Sequence, residues 1–224
     1  ALGLLKSGNF AFFMLISMIA MIPFTMYFSF GSQFFMSKGF EKVTAIMSWG
    51  QIAEMLIMLM VPLALTRYGA KWAITAGLGM LVVRYLAFLV GGAFDQTWLY
   101  YVAILVHGAI FGFLIVGGQV YVDKKAPPEI KAQAQGLVGL LLFGVGMGIG
   151  TFASEGLINL FTVEKTVEAV VTKTTSWNAI WAILTITSAV LMAAFWFLFR
   201  DDVLKKVVAT PQATGPGQTE AAQA

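Results

Sequence analysis

The chain has 224 residues, of which 59% are apolar and only 11% charged, and its net charge is +3. A soluble globular domain is typically about 45–50% apolar and about 25% charged, so this chain cannot cover itself with polar groups in water and its solvent must be largely lipid. It has no Cys and a single His, His107, which excludes a disulfide framework and a thiolate metal site; no metal, cofactor or nucleic-acid partner is expected.

The chain starts with Ala, a few residues before its first apolar stretch, and reads as a fragment or a processed chain. A bilayer core about 30 Å thick needs about 20 apolar residues in a helix rising 1.5 Å per residue. Six stretches qualify: residues 9–30, 43–65, 72–92, 97–122, 133–157 and 176–199. Lipid cannot satisfy backbone polar groups, so they must be helices or a closed barrel. The runs are too long and too continuous for barrel strands. The predicted fold is therefore all-α, a six-helix transmembrane bundle over residues 1–200. The first stretch is too long for a cleaved signal peptide, and no small-residue cleavage site follows it. The polar stretch Glu164–Thr175 is predicted as an outer loop. Residues 207–224, rich in Ala, Thr, Gln, Gly and Pro, are predicted as a disordered cytoplasmic tail.

Orientation follows from loop cations. One side carries Lys6, Arg67, Lys71, Lys124, Lys125, Lys131, Arg200, Lys205 and Lys206, against Lys38, Lys42, Lys165 and Lys173 on the other. Nine against four predicts both termini in the cytoplasm. Trp98, Tyr100, Tyr101 and Trp177, near the outer ends, fit an interfacial belt.

Ionisable groups inside the spans carry the functional information, because each costs about 2.5–3.5 kcal/mol or more to insert. Glu54 lies about 11 residues from either end of the second span, roughly 16 Å from each surface. Gln51, three residues earlier, shares its helix face. A carboxyl there can take up and release a proton, as proton-coupled transport requires; the alternative is a permanently paired or protonated structural group. Arg84 lies near the middle of the third span and cannot shed its charge. It can pair with Glu54, or bond helix carbonyls or a polar side chain between helices. His107 sits at matching depth in the fourth span, either as a ligand or proton contact or as an interhelical hydrogen bond. Glu155, near the outer end of the fifth span, reads as interfacial.

Gly144–Gly148 and Gly146–Gly150 in the fifth span, and Gly108–Gly112 in the fourth, have the GxxxG spacing of close helix packing. A nucleotide-binding reading of these glycines fails, since no strand precedes them. No metalloprotease, nucleotide-binding or catalytic-triad signature occurs, and there is no pair of acids for intramembrane proteolysis. An enzyme is not expected.

Six helices with both ends on one side resemble the C-terminal half, helices seven to twelve, of a major facilitator superfamily transporter, a fold that joins two such halves. The segment Thr66-Arg67-Tyr68-Gly69-Ala70-Lys71 resembles that superfamily's cytoplasmic D-R-x-G-R-K motif, with Thr66 and Ala70 departing from it. A finer resemblance is to the bacterial nucleoside:proton symporters. Gln51-Ile52-Ala53-Glu54 resembles their Q-x-x-E, Phe30-Gly31-Ser32-Gln33-Phe34-Phe35 their F-[TG]-N-x-F-L, Arg84-Tyr85 their R-Y, and Ala132-Gln133-Ala134-Gln135-Gly136 their S-A-Q-G. Gly112 stands where the family has an Asp, and His107 where it has an aromatic.

The resemblance implies a proton-coupled nucleoside symporter of the bacterial inner membrane, working with an N-terminal six-helix half. Glu54 would be the proton-coupling group, and Gln51, Glu54, Thr25, Phe28, His107 and Phe111 the substrate contacts. Arg84 would be a structural intramembrane charge, and Arg67, Gly69 and Lys71 the cytoplasmic motif. Two rivals stay open: the same fold carrying a sugar, peptide or drug, and a non-transporting membrane assembly factor.

Overall fold

The computed structural model describes residues 1–167 and 170–202. The predicted tail 207–224, with Lys205 and Lys206, lies outside the described residues. After a short tight turn at Leu2–Lys6 come six helices: α1 (Gly8–Ser37), α2 (Val43–Met58), α3 (Val61–Ala93), α4 (Thr97–Lys125), α5 (Pro128–Leu160) and α6 (Trp177–Leu198). All but α2 are individually long and apolar enough to cross a membrane, and the chain is a multi-pass membrane protein.

The predicted span 43–65 is not one continuous helix. Pro62 has no N–H to give the carbonyl four residues back, at Met58, and α2 stops there. The chain bridges the gap with a tight turn, Met60 N–H to the Ile57 carbonyl at 2.8 Å, and restarts at Val61. The path nonetheless continues in one direction. A Cβ on Gly108 of α4 would lie 2.5 Å from the Glu54 backbone nitrogen, and one on Gly112 would lie 2.9 Å from Val61 and 3.3 Å from Ile57. Residues 53 to 61 therefore advance along α4 in step with it.

The reversal comes at Gly69, whose φ of 83° and ψ of 174° interrupt α3. Positive φ is the conformation glycine tolerates best. From there the chain runs back along α4, with Gly77 against Leu114 and then Gly91 against Tyr100. The second pass along the bundle is thus α2 plus the first two turns of α3, and the third pass is the remainder of α3.

Small residues also set the α1–α5 contact. Gly146 abuts Met21, and Gly150 abuts Met21 and Thr25, while Gly148 has nothing within 4 Å of where a Cβ would stand. Of the two GxxxG pairs in α5, Gly146–Gly150 is the one that packs against α1. Both α4 and α5 contain a wide, π-type stretch at mid-length, Ile110–Val116 and Leu140–Gly146.

In lipid, apolar burial does not drive helices together, so dense packing has to. Two aromatic clusters supply it. Far from the termini, Phe34 meets Trp181 at 5.0 Å, Phe88 at 5.1 Å, and Tyr100 and Trp177 at 5.3 Å. At the end that carries residues 1 and 202, Tyr121 lies 5.0 Å from Phe13 and 5.2 Å from Phe199.

That same end is closed by a polar clasp. The Asn9 amide donates to the Arg200 carbonyl at 2.8 Å and accepts from the Arg200 N–H at 2.9 Å. The Lys71 N–H donates to Asp201 at 3.2 Å. Lys125 pairs with Asp202, to which the Tyr121 hydroxyl also donates. The chain following α6 thereby ties down α1, α3 and α4.

The stretch predicted as an outer loop carries an antiparallel strand pair, β1 (Thr162–Val167) with β2 (Val170–Thr175). Its Thr- and Val-rich sequence favours the extended chain, and it is pinned by Thr162–Thr175 at 2.8 Å and Glu164–Lys173 at 2.5 Å. The bundle is thus all-α with one extramembrane hairpin.

The packing makes a paired prediction. Gly108→Ala puts a methyl against α2 backbone, so the melting temperature of the detergent-solubilised protein should fall by the equivalent of about 1–3 kcal/mol. Gly156→Ala, at a site with no neighbour within 4 Å, should hold or raise it, because alanine favours a helix over glycine.

Candidate functional site

Arg84 is fully buried on the α3 face that also buries Leu81, Tyr85 and Phe88. A guanidinium has five donors and no acceptor, and it stays charged. Its Nε donates to the Ala103 carbonyl at 3.2 Å. That carbonyl belongs to the last turn of the first segment of α4, Thr97–Leu105, where helical carbonyls lack intrahelical partners. Nη2 meets Nδ1 of His107 at 3.0 Å. The guanidinium carbon lies 4.1 Å from the centre of the Tyr27 ring, within the range of a cation–π contact. Nη1 has no hydrogen-bond partner among the described residues.

His107 starts the second segment of α4, just past the interruption at Val106. Its ring is enclosed by Phe24 at 6.2 Å, Tyr27 at 5.7 Å and Phe28, edge-on, at 5.3 Å. Arg84 can only donate, so Nδ1 must accept, and the ring proton of the neutral imidazole sits on Nε2. Nε2 faces Oε2 of Glu54 at 3.6 Å. This is a charge–dipole contact longer than a hydrogen bond. The Glu54 side chain is 23% exposed against 2% for His107, so the chain of groups runs from a buried cation to a carboxylate at the bundle surface. Gly108 makes the arrangement possible, because its missing side chain lets α2 press its backbone at Glu54 onto α4.

The other predicted residues divide. Phe28 is 46% exposed beside His107. Phe111, half-buried, follows His107 by four residues in the wide stretch of α4. Gln51 is exposed one turn before Glu54; with its amide turned so that the nitrogen faces its own helix, it donates to the Met47 and Ser48 carbonyls at 3.0 and 3.2 Å. Thr25 is not part of the group. It is 1% exposed, sits against Gly150 of α5, and its hydroxyl has no partner among the described residues. Arg67, Gly69 and Lys71 lie at the clasp end, where the Arg67 guanidinium is 5.4 Å from the Tyr68 ring centre and the Lys71 ammonium 5.2 Å from that of Trp196.

The direct Arg84–Glu54 pair is replaced by a bridged one, since His107 stands between them. Gly112 packs on Ile57 and Val61, which is why no longer side chain fits there without moving α2. Tyr27 and the Ala103 carbonyl escaped the sequence reading. A Tyr inside an apolar span was the available signal for the first; the second is backbone and left none. Tyr85 is buried behind Arg84 and donates its hydroxyl to the carbonyl of Pro23 in α1. Two concavities, one of about 320 Å³ bordered by Lys38, Asp95 and Tyr100 and one of about 230 Å³ bordered by Met58, Leu65 and Lys124, contain none of Glu54, His107 or Arg84.

This sequence matches the profile of a family described as nucleoside H+ symporters over residues 1–203. The chain belongs to the nucleoside H+ symporter family. Among relatives of that kind, YegT of Escherichia coli is 31% identical over 206 residues, covering 90% of this chain and 47% of that protein. The nucleoside permease NupG of Escherichia coli is 29% identical over 213 residues, covering 89% and 49%. A crystal structure of the nucleoside transporter NupG superimposes with a TM-score of 0.74 at 27% identity, over 88% of this chain and 50% of that one. A mutant of the same transporter gives 0.76 at 28% identity. The chain thus spans about half the length of these symporter-family relatives, as one six-helix half of the transporter fold does.

The placement of Thr25 is testable. Thr25→Val removes a buried hydroxyl that has no hydrogen-bond partner among the described residues and keeps the shape of the side chain. Melting temperature should hold or rise, because an unpaired buried polar group costs about 1–3 kcal/mol. A fall in stability would mean that the hydroxyl has a partner.

Proposed function

We propose that this chain is the C-terminal half of a proton-coupled nucleoside transporter, in which Glu54 takes up and releases the coupled proton. The observation that carries the reading is the position of Glu54. It is a carboxylate at mid-span, on the surface of the bundle, with a His–Arg pair buried behind it. An intramembrane acid of this kind is costly unless it has work to do. It is reachable from the side, so a ligand and a proton can both meet it.

Nucleoside is the substrate class that the family and the name of NupG support. Phe28 and Phe111 offer ring faces for stacking, and Gln51, Glu54 and the His107 Nε2–H offer polar edges. The complementary wall would come from an N-terminal six-helix half, and rocking of the two halves would expose the site to each side in turn. The cation bias of the loops favours both termini in the cytoplasm, with the protein in a bacterial inner membrane. Loop cations on that side include Arg67, Lys71, Lys124 and Lys125.

The test is uptake of labelled uridine and adenosine by cells expressing the full reading frame, with and without a proton gradient, for wild type and Glu54→Gln. Gradient-driven accumulation in the wild type, lost in Glu54→Gln at equal membrane expression, is the expected result. Absence of uptake in the wild type overturns the nucleoside assignment and calls for sugars, peptides and drugs as cargo. Accumulation that survives the substitution removes Glu54 as the proton site.

A further inference from the structure

We infer that Arg84 is a positioning residue that locks His107 as a neutral Nε2–H donor, so that Glu54 alone exchanges a proton at mid-span. The inference rests on the reading of Glu54 as the proton site and adds what the two residues behind it do. The argument is geometric. An imidazole can become a cation only by holding hydrogen on both nitrogens. Nδ1 of His107 is 3.0 Å from a guanidinium nitrogen that can only donate. A proton placed there would set N–H against N–H beside a permanent positive charge.

The surroundings leave the ring no other arrangement. The titratable and charged groups facing it are Arg84 from α3, Glu54 from α2 and Tyr27 from α1, whose hydroxyl has no partner among the described residues. From α4 itself, the Ala103 carbonyl is already engaged by Arg84 Nε. Phe24 and Phe28 close the remaining sides. Flipping the ring would offer a carbon where Arg84 needs an acceptor, leaving a second guanidinium nitrogen unpaired beside Nη1.

Two consequences follow for transport. A proton arriving at Glu54 cannot pass through the imidazole toward the interior, because Nδ1 has no proton to hand on and nothing behind it accepts one. Coupling then ends at the carboxylate. The Nε2–H is also a donor in every state of the cycle. It steadies the Glu54 carboxylate when that group is charged, and without turning it is available to a substrate acceptor when Glu54 is protonated.

The decisive variant is His107→Gln in the full-length protein. A Gln side chain has an acceptor for Arg84 and a donor for Glu54, yet it cannot take up a proton. The altered contact to substrate should show as a higher KM, while the uptake that remains stays gradient-driven with an unchanged pH profile. Loss of gradient-driven uptake, with substrate counterflow intact, would overturn the inference, because it would mean that the ring itself carries a proton. Arg84→Met removes the lock and should shift the pH profile, and combining it with His107→Gln should cancel the shift; a profile that Arg84→Met does not move also overturns the inference. Should these variants fail to reach the membrane, nitrogen NMR of histidine-labelled wild-type protein reads the state directly. His107 should be a neutral Nε2–H tautomer throughout the working pH range, and an Nδ1–H or doubly protonated ring overturns the inference. A wild type that takes up no nucleoside would sink the transport reading, while the NMR result would still decide the role of Arg84.

Discussion

A guanidinium that cannot give up its charge lies fully buried in a bundle whose outer solvent is lipid. Most of the polar architecture answers that one constraint. The Ala103 carbonyl is turned toward it by the interruption of α4, the Tyr27 ring lies across its face, and the only His of the chain accepts its second bond. The carboxylate that balances the charge stays one residue removed, at the bundle surface. Stripping a partner from a buried pair typically costs about 3–5 kcal/mol. A bridged pair therefore keeps its anion available without leaving the cation wholly unpartnered.

Glycine makes that geometry affordable at the level of backbone. Gly108 lets α2 touch α4 at Glu54, and Gly77 lets α3 touch α4 at Leu114. The helices bearing Glu54, Arg84 and His107 are thereby drawn onto one another around α4. The two aromatic clusters then fix the two ends, so the polar group occupies a middle layer between two apolar ones.

Much of this was legible in the sequence, because lipid imposes a strict rule. Every apolar run of sufficient length had to be helical, and Glu54, Arg84 and His107 stood out as polar residues where polarity is costly. Depth along a helix follows from counting, which is why the three were expected at one level. Direction around a helix does not follow so easily. Nothing in the residue order says that Thr25 faces α5, or that His107 rather than Arg84 meets Glu54. The wide stretches in α4 and α5 add to this, since they break the regular angular period on which a facing argument depends. The break before Val61 had a sign in Pro62, which the long apolar run masked. The hairpin had a sign in its β-branched residues, masked by their polarity.

The polar clasp has a bearing on how the molecule is made. Asp201 and Asp202 follow the sixth helix, and their partners Lys71 and Lys125 belong to segments synthesised much earlier. The ribosome must deliver the last crossing before that end of the bundle can be fastened. Closure waits for the sixth helix and is made by two adjacent acidic residues that reach back to α3 and α4.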